Sequence, residues 1–169
     1  MFDVQSISKH EKVKMIAGAD VDSATAKKLE VRMEGVKTFS DWREMFEIMG
    51  KDIDVVSVST PDHMHGIMAM SAMNLGKHVY VQKPLAQTIG ECRTMQATAR
   101  RNKVIVQMGT QGASSFYDRM AVDLVQRKLI GKITEAWVFC GKSWGDKNPL
   151  PDREDPIPDG LDWDGWLGV

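Results

Sequence analysis

Cysteine is nearly absent from this chain. Cys92 and Cys140 are too few for a disulfide framework, and no His, Cys, Asp or Glu spacing suggests a metal cluster. Cys92 falls in a helical pattern and Cys140 in a strand pattern, so both are expected to be buried thiols. Charge bias is absent too. Lys and Arg total 22 against 23 Asp and Glu, a net charge of −1, which gives no electrostatic case for nucleic acid or an anionic membrane as partner. No run of 18 apolar residues suggests a membrane span, and Met1-Phe2-Asp3-Val4 does not open a signal peptide. A reduced, cytoplasmic setting is therefore the expectation, with export of a longer parent by an upstream signal left open. What remains is 169 residues, 43% hydrophobic and 27% charged, enough to bury a core.

Apolar runs alternate with helical patterns along the chain. Residues 2–10 read as weakly helical, and Val13–Ala19 as a strand ending at Asp20. Helix signals follow over 23–33, with Ser23 as N-cap and Gly35 past the end. A short strand at 36–39 leads to a helix capped by Ser40. Val55–Val58 is a continuous apolar run, suited to a sheet covered on both faces. The helix at 64–75 places Met64, Ile67, Met68, Ser71, Ala72 and Leu75 on one face, read as core. A strand at 78–81, a helix at 87–101, a strand at 104–107 and a helix at 115–128 complete the pattern. Such alternation specifies a parallel, doubly wound α/β sheet. Residues 133–140 alternate at period two in their middle, as a half-buried antiparallel strand would, and 141–169 read as a proline-rich loop.

Two strands end alike. Val55–Val58 runs into Ser59-Thr60-Pro61-Asp62-His63-Met64-His65, and His78–Val81 into Gln82-Lys83-Pro84-Leu85. Proline cannot continue a sheet ladder, so each strand stops where polar groups begin. In an open α/β sheet that edge is where ligands bind. Lys83 is the leading candidate for chemistry, although most lysines are solvated surface charges.

These paired motifs resemble the Gfo/Idh/MocA (glucose–fructose oxidoreductase / inositol dehydrogenase) family over nearly the whole chain, with Gln82 in place of the usual Glu of Glu-Lys-Pro. The resemblance implies an NAD(P)-dependent oxidoreductase that moves hydride between a sugar or cyclitol hydroxyl and nicotinamide, built on a Rossmann-type sheet. It implies that Lys83 is catalytic, touching the reacting hydroxyl, and that Asp20 binds the adenosine ribose and favours NAD over NADP. Ser59, Thr60, Pro61, His63, His65, Gln82, Lys83, Pro84 and Gln111 become cofactor contacts, and Lys83, Trp144 and Trp163 substrate contacts. Taken from the residues alone, Asp20 is equally a turn or cap aspartate, the two histidines capping or surface groups, and the tryptophans interdomain packing.

One feature of that family is lacking. A dinucleotide fold needs a strand and a Gly-x-Gly-x-x-Gly turn about 20 residues before the ribose acid. No glycine precedes Gly18. The chain is therefore expected to be a fragment that starts inside the first helix, lacking the first strand and glycine-rich turn, with residues 1–112 an incomplete cofactor domain and 113–169 the opening of a C-terminal α+β substrate and oligomerisation domain. The family's usual catalytic Asp and His have no equivalents here. Three readings follow: part of a homo-oligomeric sugar or cyclitol dehydrogenase, part of an NAD-dependent glycosidase with transient sugar oxidation, or a non-catalytic remnant that binds no cofactor.

Overall fold

Alternation of strand and helix is what the computed structural model shows, described for residues 2–142, 145, 148, 149 and 151–168. Strands β1 (Ala17–Ala19) and β2 (Lys37–Phe39) pair in parallel, Ala17 against Lys37. Strands β3 (Val55–Val58), β4 (His78–Gln82) and β5 (Val106–Gly109) form a second parallel sheet in that order, with Val55 against His78 and Gln82 against Gly109. Helices α1 (Phe2–Ile7), α2 (Ser23–Arg32), α3 (Trp42–Met49), α4 (His65–Asn74) and α5 (Ile89–Asn102) lie between them in sequence. A doubly wound sheet of order 3-2-1-4-5-6 contains these two groups as 3-2 and 4-5-6. The strand that would join them has no counterpart among the described residues.

Two apolar clusters hold these elements. Val58, Val79 and Val81 of the three-stranded sheet pack with Ala69, Ala72 and Met73 of α4 and Met95 of α5. Met45 and Met49 of α3, with Ile53, cover Ala17, Ala19 and Phe39. The buried face of the segment 64–75, which holds α4, matches the expected one in part: Met64 and Ala72 are buried and Met68 packs against the core, but Ile67 is 46% and Leu75 51% exposed, and Ala69 and Met73 are fully buried instead. Nearly every position of this helix is apolar, so periodicity could not choose a side; the small Ala69 and Ala72 suit a face close to its neighbours.

Helix starts shift by one residue. Asp22 caps α2 and Asp41 caps α3, each carboxylate accepting an N–H two residues on, in place of Ser23 and Ser40. Both serines stand beside an aspartate, which is an equally good cap. α5 opens on a capping box, Thr88 and Glu91 bonding each other's backbone N–H groups.

By internal contacts the chain divides into two compact units, Met1–Gly109 with Ile157–Val169, and Thr110–Pro156. In the first, the returning segment lies against α2: Asp22 and Leu161 form an antiparallel bridge and Asp162 N–H donates to the Val21 carbonyl. It ends in α7 (Trp163–Leu167). The second holds α6 (Phe116–Gln126), whose apolar Tyr117, Met120 and Val125 are exposed. Residues 133–140 form no strand, correcting the sequence reading. A strand is stabilised by a neighbour's hydrogen bonds, and no described segment pairs with this one. Cys140, expected within it as a buried thiol, is exposed, while Cys92 is half-buried.

Candidate functional site

The carboxyl ends of β3 and β4 form one rim. From β3 the chain passes through Ser59, Thr60 and Pro61 into a short 3-10 turn, Asp62–Met64, and then α4. From β4 it passes Gln82 into a cis Lys83–Pro84 bond. His65, only 1% exposed, joins the two: Nδ1 lies 2.6 Å from the Pro84 carbonyl oxygen and Nε2 2.9 Å from that of Thr60. Both ring nitrogens are occupied by backbone, so His65 fixes the loops to each other, and this geometry differs from the direct ligand contact expected of it. Lys83 is exposed at the rim, and its backbone N–H donates to Gln82 Oε1 at 3.3 Å. The buried Thr60 hydroxyl has no hydrogen-bond partner among the described residues.

His63 faces the returning segment. Its Nε2 lies 2.8 Å from the Trp166 carbonyl oxygen, and its ring meets Trp166 edge-on with centroids 5.4 Å apart. Trp166 stacks on Trp163 at 5.1 Å and 5°. The structure thus gathers Ser59, Thr60, Pro61, His65, Gln82, Lys83 and Pro84 at one rim, with His63 turned towards the Trp163–Trp166 pair. Gln111 opens a 3-10 turn in the second unit, and Trp144 lies outside the described residues.

Asp20 directly follows β1 and accepts the Asp22 N–H on Oδ1 at 3.0 Å. Beside it is a cleft of about 330 Å³ lined by Asp20, Ser23, Lys27, Thr38, Ser40 and Asp162, among others. Asp22, the N-cap of α2, has its carboxyl held below the usual carboxylate range, chiefly by the Thr25 hydroxyl and then by the Ala24 N–H. Sequence reasoning missed three participants. Asp3, in the first turn of α1, reaches the rim through Ser59 and Gln82, residues 56 and 79 positions away, a separation no local pattern reveals. Gly160 and Asp162 come back to the Asp20 cleft through the antiparallel bridge. No group of three or more His, Cys, Asp or Glu among the described residues could hold a metal ion, and no helix there is long and apolar enough to cross a membrane.

Comparison with known proteins gives this geometry a family. The family model described as "Oxidoreductase family, NAD-binding Rossmann fold" (GFO_IDH_MocA) matches residues 2–110, and the chain belongs to that family. It is 37% identical over 94 residues to a levoglucosan dehydrogenase of Pseudarthrobacter phenanthrenivorans, covering 56% of this chain and 24% of the relative. It is 35% identical over 82 residues to an alpha-N-acetylgalactosaminidase of Shewanella oneidensis, covering 48% and 18%. Among solved structures, scyllo-inositol dehydrogenase from Lactobacillus casei, with bound NAD(H) and scyllo-inositol, matches 78% of this chain and 38% of its own at TM-score 0.71 and 27% identity. The chain spans 18% to 42% of the length of the first curated relatives it matches.

A dinucleotide fits these residues only in part. Asp20 and its cleft suit the adenosine ribose, a carboxylate beside room for a sugar. The pyrophosphate needs backbone N–H groups on a glycine turn, and no Gly-x-Gly-x-x-Gly turn occurs among the described residues. The first turn of α1 carries instead the Asp3 carboxylate. The described residues therefore do not hold a whole dinucleotide.

Proposed function

We propose that this chain is the cofactor-domain portion of an NAD(P)-dependent oxidoreductase that transfers hydride between a hydroxyl of a sugar or cyclitol and nicotinamide. The observation that carries this reading is the rim itself: an exposed lysine at the end of β4, locked by His65 to the loop that ends β3. The nicotinamide, when bound, supplies the hydride acceptor. The chain's own contribution is electrostatic. The Lys83 ammonium donates a hydrogen bond to the reacting oxygen and stabilises the negative charge that develops there. Gln82 is neutral at every pH, so proton transfer falls to Lys83 or to groups outside this chain.

Asp20 takes the ribose hydroxyls and disfavours a 2′-phosphate by charge, which supports NAD over NADP. Trp163, stacked on Trp166, presents an apolar face to a sugar ring. A homo-oligomeric, cytoplasmic parent fits the same reading. The test is hydride transfer by the longer parent across a panel of polyols. Lys83→Met should lower kcat by about 10²–10³ while leaving NAD binding in place. An unchanged kcat would remove Lys83 from the chemistry.

A second reading is supported by the similarity to the alpha-N-acetylgalactosaminidase. There the same rim would serve a transient oxidation, and aglycone would be released with no net NADH. Accumulation of NADH with a free polyol separates the two.

A further inference from the structure

Position 82 is where the chain departs from Glu-Lys-Pro, and the structure shows what meets it. Asp3 is 8% exposed, and its Oδ2 accepts from Ser59 Oγ at 2.8 Å and from Gln82 Nε2 at 2.6 Å. The other end of the amide, Oε1, accepts the Lys83 N–H at 3.3 Å. Chemistry fixes this orientation. A carboxylate only accepts and a backbone N–H only donates, so the amide nitrogen must face Asp3. Gly109, paired with Gln82 across β5, leaves the side chain its room; a Cβ there would stand 2.9 Å from it.

A glutamate at 82 in the same position would set two carboxylate oxygens 2.6 Å apart with no proton between them. We propose that Asp3 and Gln82 are a matched acid–amide pair: Asp3 is a positioning residue that requires an amide at 82, and through that amide it orients the backbone at Lys83. The consequence for Lys83 rests on the function proposed above; the pair itself does not.

The test is a double-mutant cycle in the full 169-residue chain, by urea unfolding between pH 4 and pH 7, with Gln82→Glu, Asp3→Asn and the combination. Gln82→Glu should lower the folded-to-unfolded ratio about tenfold or more at pH 7, and the deficit should shrink on acidification as one carboxyl of the pair takes a proton. Asp3→Asn with Gln82→Glu should recover most of the loss at pH 7, because the new amide restores a donor between the two groups. Titratable or charged side chains on the elements that hold the pair are His78 and Tyr80 on β4, Lys83 beyond it, and Asp62, His63 and His65 beyond β3. They are unchanged in the double variant, which therefore serves as the pH reference. Gln82→Glu within twofold of the parent at every pH, or a double variant no more stable than Gln82→Glu, overturns the pairing. Should Gln82→Glu not fold at pH 7, folding of the double variant supports the pairing and its failure to fold overturns it. A parent without hydride-transfer activity would sink the proposed function and leave these stability results standing.

Discussion

His65→Ala is the most informative single change at the rim. It removes both ring nitrogens from the Thr60 and Pro84 carbonyls and empties the space of a side chain that is 1% exposed. The carbonyl that accepts the ring N–H costs about 1–3 kcal/mol when left without it if water does not reach it, and the cavity adds to that. The expected loss is about 3–6 kcal/mol, a large share of the roughly 5–15 kcal/mol that stabilises a typical domain. His63→Ala is the control: that ring is half-buried and makes one hydrogen bond, to Trp166, worth about 0.5–1.5 kcal/mol. Urea unfolding of the three proteins compares midpoints at equal slope. If His65→Ala costs no more than His63→Ala, the histidine does not tie the two loops together, and the account of how Lys83 is held is refuted.

Other consequences are smaller and separable. Gly109→Ala should destabilise by about 1–3 kcal/mol, since its Cβ would press on the Gln82 side chain, and the loss should largely vanish in Gly109→Ala with Gln82→Ala, measured by thermal unfolding. Asp22 has a depressed carboxyl pKa, so its stabilisation is present above the unfolded value near 3.8 and is lost as the pH falls through the folded one. Asp22→Ala should therefore lower Tm at neutral pH, with the difference closing in acid below that value; a gap that persists there would mean the hydrogen bonds to Thr25 and Ala24 do not depend on ionisation. Met73→Ala, at a fully buried position against the sheet, should cost about 2–5 kcal/mol in urea unfolding, whereas Ile67→Ala on the exposed side of α4 should cost under about 1 kcal/mol.

How much of this was legible depended on whether the deciding interaction was local. The parallel α/β pattern was, because Val55–Val58 and His78–Gln82 are short apolar runs stopped by proline and separated by a helix. The shared rim was legible for the same reason. The buried side of α4 was legible only in part, since an almost wholly apolar helix has no polar face to mark solvent. The alternation at 133–140 was real as a pattern, yet a strand needs a partner, and pattern alone supplies none. His65 was recognised as a rim residue, but its role depends on Pro84 O, 19 positions away. Asp3 left no local trace: its meaning comes from Gln82 and Ser59.

NAD binding to the 169-residue chain, measured by titration calorimetry with Asp20→Ala alongside, tests the central claim most directly. The account predicts no saturable binding to either protein, because the Asp20 cleft suits one end of the dinucleotide while no Gly-x-Gly-x-x-Gly turn among the described residues receives its pyrophosphate. Saturable binding that Asp20→Ala abolishes would contradict it, showing that another segment of this chain cradles the phosphates.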